Sequence, residues 1–173
     1  SLDAQSITVG IEEFADMGLN ARMSVLTTDP SGRLFVNDQR GGLYHIDRAS
    51  RASTLYVDLA DDATYPSLDL VSGSEPGFQS FAFHPDFATP GSAGFGKFYT
   101  MHSSSNNSPT PDFDPGGNNV FHSVLLEWNT SNVTSATFVA ANAAAPFREV
   151  ARFQQPYGNH NAGLIAFNSS VGV

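Results

Sequence analysis

The chain has 173 residues, 40% of them apolar, which is enough for one globular domain with a core. It has no Cys, so disulfides, thiolate metal sites and Cys nucleophiles are excluded. A net charge of -9, with Lys97 the one lysine, argues against nucleic acid and anionic membrane surfaces as partners.

Charged residues make up only 14% of the chain, while it carries 14 Phe, 15 Gly and 10 Pro, a balance that favours an all-β protein with many turns. No apolar run reaches the length of about 20 residues that a membrane-spanning helix needs. The opening Ser-Leu-Asp-Ala-Gln lacks Met and reads as the remnant of a removed leader or tag, so the expected location is secreted or periplasmic.

Residues 23–36 (Met-Ser-Val-Leu-Thr-Thr-Asp-Pro-Ser-Gly-Arg-Leu-Phe-Val) predict a strand, a Pro/Gly turn and a second strand. After a hairpin turn at Gly41-Gly42, residues 42–47 (Gly-Leu-Tyr-His-Ile-Asp) alternate as a strand with one face more buried than the other. Residues 54–59 (Thr-Leu-Tyr-Val-Asp-Leu) supply a fourth strand, and a loop rich in Asp, Pro and Gly leads on from Asp58 to Gly77.

The same grammar then restarts. Residues 78–87 (Phe-Gln-Ser-Phe-Ala-Phe-His-Pro-Asp-Phe) and 96–100 (Gly-Lys-Phe-Tyr-Thr) repeat the pattern of strand, X-Pro turn and strand. Residues 121–128 (Phe-His-Ser-Val-Leu-Leu-Glu-Trp) and 148–153 (Arg-Glu-Val-Ala-Arg-Phe) add two more strands. Between them, 103–119 is Ser/Asn/Pro/Gly-rich and predicts an exposed, mobile loop, and 129–146 predicts a strand connection rather than a long helix. A third start appears at 162–168 (Ala-Gly-Leu-Ile-Ala-Phe-Asn).

Four strands followed by a restart is the pattern of a propeller blade. The expected fold is an all-β propeller of four-stranded antiparallel blades, present as one partial domain over 1–173. Blade 1 is expected at about 22–60, blade 2 at about 77–155 and the start of a third at about 160–173. A sandwich of two similar hairpins is the alternative. An open stack of blades leaves apolar faces and strand edges bare, so the protein is expected to continue past Val173.

Single residues give less. His84, before Pro85, reads as a structural His bonding within its turn, and His45, His102 and His122 read as ordinary surface or cleft residues on strands. Residues 112–118 (Asp-Phe-Asp-Pro-Gly-Gly-Asn) place oxygen ligands at alternate positions but lack a bidentate Glu, so a solvated acidic loop is the preferred reading and no metal ligand is assigned. Asp61-Asp62 and Glu12-Glu13 read as surface pairs.

Residues 75–87 (Glu-Pro-Gly-Phe-Gln-Ser-Phe-Ala-Phe-His-Pro-Asp-Phe) resemble the Gly-Leu-Leu-Gly-Leu-Ala-Phe-His-Pro-Asp-Phe signature of the glucose/sorbosone dehydrogenase family. Residues 40–47 (Arg-Gly-Gly-Leu-Tyr-His-Ile-Asp) resemble its first-blade hairpin, and 159–167 (Asn-His-Asn-Ala-Gly-Leu-Ile-Ala-Phe) its third-blade opening. That family consists of six-bladed propellers that bind pyrroloquinoline quinone (PQQ), usually with calcium, and oxidise aldoses at C1.

The resemblance implies a quinoprotein that oxidises a sugar C1 hydroxyl to the lactone, with PQQ as hydride acceptor and a small sugar as substrate. It implies His160 as general base, a role suited to an imidazole whose pKa of about 6.5 lies near ambient pH. It further implies that Glu75, Asn159 and Asn161 lie beside the cofactor. Asn159 stands in place of an acidic residue, and Leu164 where some members carry Arg. The cationic residues that clamp PQQ and the calcium ligands belong to later blades in the family, so this chain alone is not expected to be active.

Two other functions are open at this stage. A non-catalytic propeller that binds glycans or proteins fits the same fold, because fold does not fix function. A calcium-dependent hydrolase would need carboxylates around the axis, which this sequence does not offer. The redox acceptor is not readable.

Overall fold

The computed structural model describes residues 8–18, 21–159 and 163–168. These residues hold eight strands and no helix. β1 (Met23–Thr28), β2 (Leu34–Asp38), β3 (Gly42–Ile46) and β4 (Ser53–Asp58) form one sheet, and β5 (Phe78–Phe83), β6 (Lys97–Ser104), β7 (Phe121–Asn129) and β8 (Phe147–Gln155) form the other. In each sheet the strands pair in chain order and antiparallel, so each is a four-stranded meander of the kind expected for a blade.

The repeated X-Pro turns explain where the hairpins close. Asp29 is buried, and its Oδ1 accepts from the Ser31 amide (2.9 Å), the Ser31 hydroxyl (2.7 Å) and the Arg33 amide (3.0 Å). Gly32 supplies the positive φ of 89° that the chain needs to turn back. In the second sheet His84 takes the place of Asp29: its Nδ1 accepts from the Asp86 amide at 3.0 Å, the structural role read from the sequence. At the opposite end Gly41 adopts a φ of 132° in the β2–β3 hairpin, and its amide donates to the Asp38 carbonyl at 2.9 Å.

The core lies between the two sheets and is mostly aromatic. Phe35 of β2 packs on Phe83 of β5 with centroids 4.7 Å apart, and Phe98 of β6 stacks on Trp128 of β7 at 5.8 Å. Tyr56, Phe81 and Phe87 complete a continuous buried cluster. One polar group stitches the sheets within this core. The amide of Asn37, fully buried on β2, donates to the Phe78 carbonyl of β5 (2.7 Å) and to the Ser24 hydroxyl (2.8 Å), and it accepts from the Val25 amide (2.9 Å).

Three local expectations change. In β3 both faces are covered, since Leu43 and Ile46 are both buried, so its alternation does not mark a solvent side. The loop expected from Ser103 begins later, because Ser103 and Ser104 are buried members of β6. That loop is also tied down: Arg152 donates to the Asn106 carbonyl (2.9 Å), and Phe113 forms a β-bridge with Phe153. Residues 163–168, the described part of the third start, run beside β5 without entering a sheet.

Candidate functional site

Antiparallel order sends the ends of β2, β4, β6 and β8 to one rim, so the connections that follow them meet there. Glu75 is partly buried in the β4–β5 connection. Its carbonyl accepts from the Gln39 amide group (2.6 Å) and from that of Gln79 (2.7 Å). Gln79 lies directly against Gly163, where an added Cβ would sit 2.6 Å from the Gln79 Cβ. Gln79 thus stands between the Glu75 carbonyl and Gly163. His160 and Asn161 lie outside the described residues; Asn159 and Gly163 are the described neighbours that flank them.

Asn159 is exposed and borders a cavity of about 520 Å³, which Gly163 and Leu164 also line. Phe113 and Tyr157, 59% and 71% exposed, stand at this cavity with Phe153, and Gln154, Gln155 and Ser123 supply neutral polar groups. Aromatic faces beside amides and a hydroxyl suit a sugar ring, which has apolar faces and a rim of hydroxyls.

Sequence reasoning does not single out Phe113 or Tyr157. Their available signals are an aromatic between two Asp in a polar loop and a Pro-Tyr-Gly directly after a strand. The flanking acids are taken up by backbone amides. An Asp112 carboxylate oxygen accepts the Arg152 amide (2.8 Å), and Asp114 accepts the Gly116 amide (2.7 Å).

Among the described residues, the cavity lining contains no Lys or Arg. The nearby Arg152 is engaged elsewhere, with Nε and Nη2 each 2.7 Å from the Glu149 carboxylate. PQQ carries carboxylates, and such groups call for cationic donors. The described residues that line this cavity therefore offer no cationic donor for PQQ.

Two His residues read as surface or cleft groups are fully buried instead. His122 lies 3.1 Å from Arg152 Nη1 through its Nδ1. Its Nε2 lies 3.0 Å from the Asn119 side-chain amide; burial and then the Arg152 charge lower its pKa. His102 is 1% exposed, with Nε2 3.3 Å from the Leu68 carbonyl and Nδ1 without a partner. Burial pushes its pKa down to about 4, against a weaker opposing pull from the Leu68 carbonyl.

The unfolded chain binds the His102 proton below about pH 6.5, while the fold resists it down to about 4. The stability held by the neutral ring is complete above pH 6.5 and is lost as pH falls through that window. Between pH 7 and 4.5 this one residue is expected to remove about 2–3 kcal/mol. Urea midpoints at the two pH values check this, because His102→Gln should shrink the acid-induced drop by that amount and an unchanged drop would contradict it.

No protein-family model matches the chain, and no curated protein matches it in sequence. Among solved structures it is similar to a glucose dehydrogenase, with 16% identity and a TM-score of 0.59, over 87% of this chain and 38% of that one. It is also similar to an oxidoreductase from Thermus thermophilus, provisionally assigned as a glucose dehydrogenase, with 16% identity and a TM-score of 0.60. That match covers 92% of this chain and 37% of the other, so this chain spans well under half the length of both. At such identity the likeness carries the fold alone: the two sheets are blades of a β-propeller like that of the glucose dehydrogenases.

Proposed function

We propose that the protein is a sugar dehydrogenase of the quinoprotein kind, oxidising the C1 hydroxyl of an aldose to the lactone at the rim described above. The observation that carries this reading is the cavity of about 520 Å³ flanked by Asn159 and Gly163, with aromatic faces and neutral amides for a sugar. The glucose dehydrogenase-like fold supports it.

Oxidation at C1 removes a hydride and the hydroxyl proton. His160 takes the proton, since a neutral imidazole is a competent base near neutral pH. Asn159 has no charge with which to stabilise the imidazolium, so this base is weaker than one beside a carboxylate. Phe113 and Tyr157 hold a sugar ring by its apolar face, and Gln154 and Gln155 bond its hydroxyls. PQQ, when bound, supplies the two-electron acceptor. Its carboxylates and any calcium would have to be held by residues other than those lining the cavity. Glu75 and Asn161 are assigned to the cofactor side of the site. The proposed setting is secreted or periplasmic, with no nucleic acid or membrane partner.

A propeller that binds glycans without catalysis is the second reading. It is favoured by the absence of Lys and Arg among the described residues that line the cavity and by Asn159 in place of an acid.

Titration of the full-length protein with PQQ and calcium, following aldose-dependent dye reduction, separates the two. Activity that saturates with PQQ is the expected result. Sugar binding without PQQ binding or turnover would move the function to glycan recognition.

A further inference from the structure

Among the described residues β8 is the last strand of its sheet, so one of its edges has no strand partner. Part of that edge is covered by residues 106–113 of the β6–β7 connection, which cross it as a strap. The Asp112 and Phe113 amides donate to the Arg152 carbonyl (2.8 and 3.4 Å), and the Gln154 amide donates to the Phe113 carbonyl (3.0 Å). The Asp112 carboxylate in turn accepts from the Arg152 amide at 2.8 Å.

The other end of the strap is held by the Arg152 side chain. Its Nη1 donates to the Asn106 carbonyl at 2.9 Å and lies 3.1 Å from His122 Nδ1, while Nε and Nη2 hold the Glu149 carboxylate. One residue thus fixes the strap at both ends. A planar guanidinium offers donors in these separate directions, whereas the ammonium of a lysine is a single point charge. Arg152 is buried, so these bonds are shielded from water. Pro109 and Pro111 stiffen the chain between the two holds, so the fixed ends set its course.

The strap carries a wall of the cavity. Phe113 at its end, and Phe153 and Gln154 directly after Arg152, all line the space of about 520 Å³. Phe113 is itself largely exposed, so its place is set by its backbone more than by packing. We propose that Arg152 is a positioning residue: by holding Asn106, Asp112 and Phe113 against β8 it sets where the Phe113 ring stands in the cavity, and so how tightly a sugar is held. The hold stands on the hydrogen bonds, while its effect on sugar rests on the sugar-site reading.

The test uses the full-length protein and its Arg152→Lys, Asp112→Ala and Asp112→Asn variants, with glucose and maltose as probes. Asp112 is exposed, so its variants spare the core should Arg152→Lys fail to fold. Residue-resolved amide exchange at Gln154 reads the strap. That amide should be protected in the parent and in Asp112→Asn, which keeps an acceptor oxygen. It should exchange at least about 3-fold faster in Asp112→Ala and about 10-fold faster in Arg152→Lys, with the β6–β7 amides unchanged as the folding control. Calorimetry and turnover read the positioning. The sugar Kd should rise by similar factors, the order of one well-placed aromatic contact, and Asp112→Asn should stay near the parent. KM should rise with it at nearly constant kcat, whereas mere loss of folded protein would lower kcat and leave KM alone.

A Gln154 amide that exchanges freely in the parent overturns the hold. Release of Gln154 with sugar affinity unchanged overturns the positioning role and leaves the sugar site standing. A parent that binds neither sugar overturns the sugar-site reading and the affinity role with it, while Gln154 exchange still judges the hold.

Discussion

Replacing His160 with Ala in the full-length protein is expected to lower kcat for aldose oxidation by about 10²–10⁴-fold, the usual contribution of a positioned general base. KM should change little, because in the proposed arrangement the aromatic and amide groups at the cavity hold the ring and His160 acts on one proton. A pH profile sharpens the result. The parent should lose activity on the acid side as the imidazole takes up a proton, and the variant should lose that limb. Steady-state kinetics with saturating PQQ measure both. Near-normal turnover in the variant would remove His160 from the chemistry and leave the cavity as a binding site.

The largest stability effect is expected at Trp128. Truncation to Ala should cost about 3–5 kcal/mol, a large share of a total that is about 5–15 kcal/mol for a typical domain. Trp128 is fully buried, stacked on Phe98 at 5.8 Å and packed against Tyr65 (5.3 Å), Phe138 (5.5 Å) and Phe147 (4.9 Å). Its loss would therefore leave a cavity lined by rings from several segments, which cannot all close in. Its indole also donates to the buried Thr100 hydroxyl at 2.8 Å, a bond that even Trp128→Phe would forfeit at about 1–3 kcal/mol. Urea unfolding followed by circular dichroism checks both variants, since the only Trp is the residue removed. Midpoints equal to the parent would show that the inter-sheet core does not depend on this ring.

The blades were legible because their signals are local. The X-Pro turns after Thr28 and Phe83 and the turn at Gly41-Gly42 each act through a few consecutive residues, and period-two patterns mark the strands between them. Burial across the sheet was not legible in the same way. His102 and His122 look like polar residues on a strand, and only the pairing of β6 with β7 and the approach of Leu68 and Arg152 enclose them. Tyr157 and Phe113 were hidden for a related reason, since they come to one cavity only through a bridge between residues 40 apart in sequence, Phe113 and Phe153. Glu75 was singled out by a motif, whereas the bond of its carbonyl to Gln79, and the seat of Gln79 on Gly163, needed the fold.

The strict chain order of both sheets bears on how the molecule is made. Every ladder joins a strand to the one synthesised just before it, so no strand has to wait for a distant partner. Pairing neighbours in sequence keeps the loops that must close shorter than pairing of distant strands would. A ribosome adds about 5–20 residues per second, which leaves ample time for β1–β4 to close before β8 emerges. The Asn37 amide would then already stand ready when Phe78 appears, and its bond to that carbonyl would register the second sheet on the first. Growth one sheet at a time, each templated by its predecessor, also makes the sheet the natural unit for gene duplication.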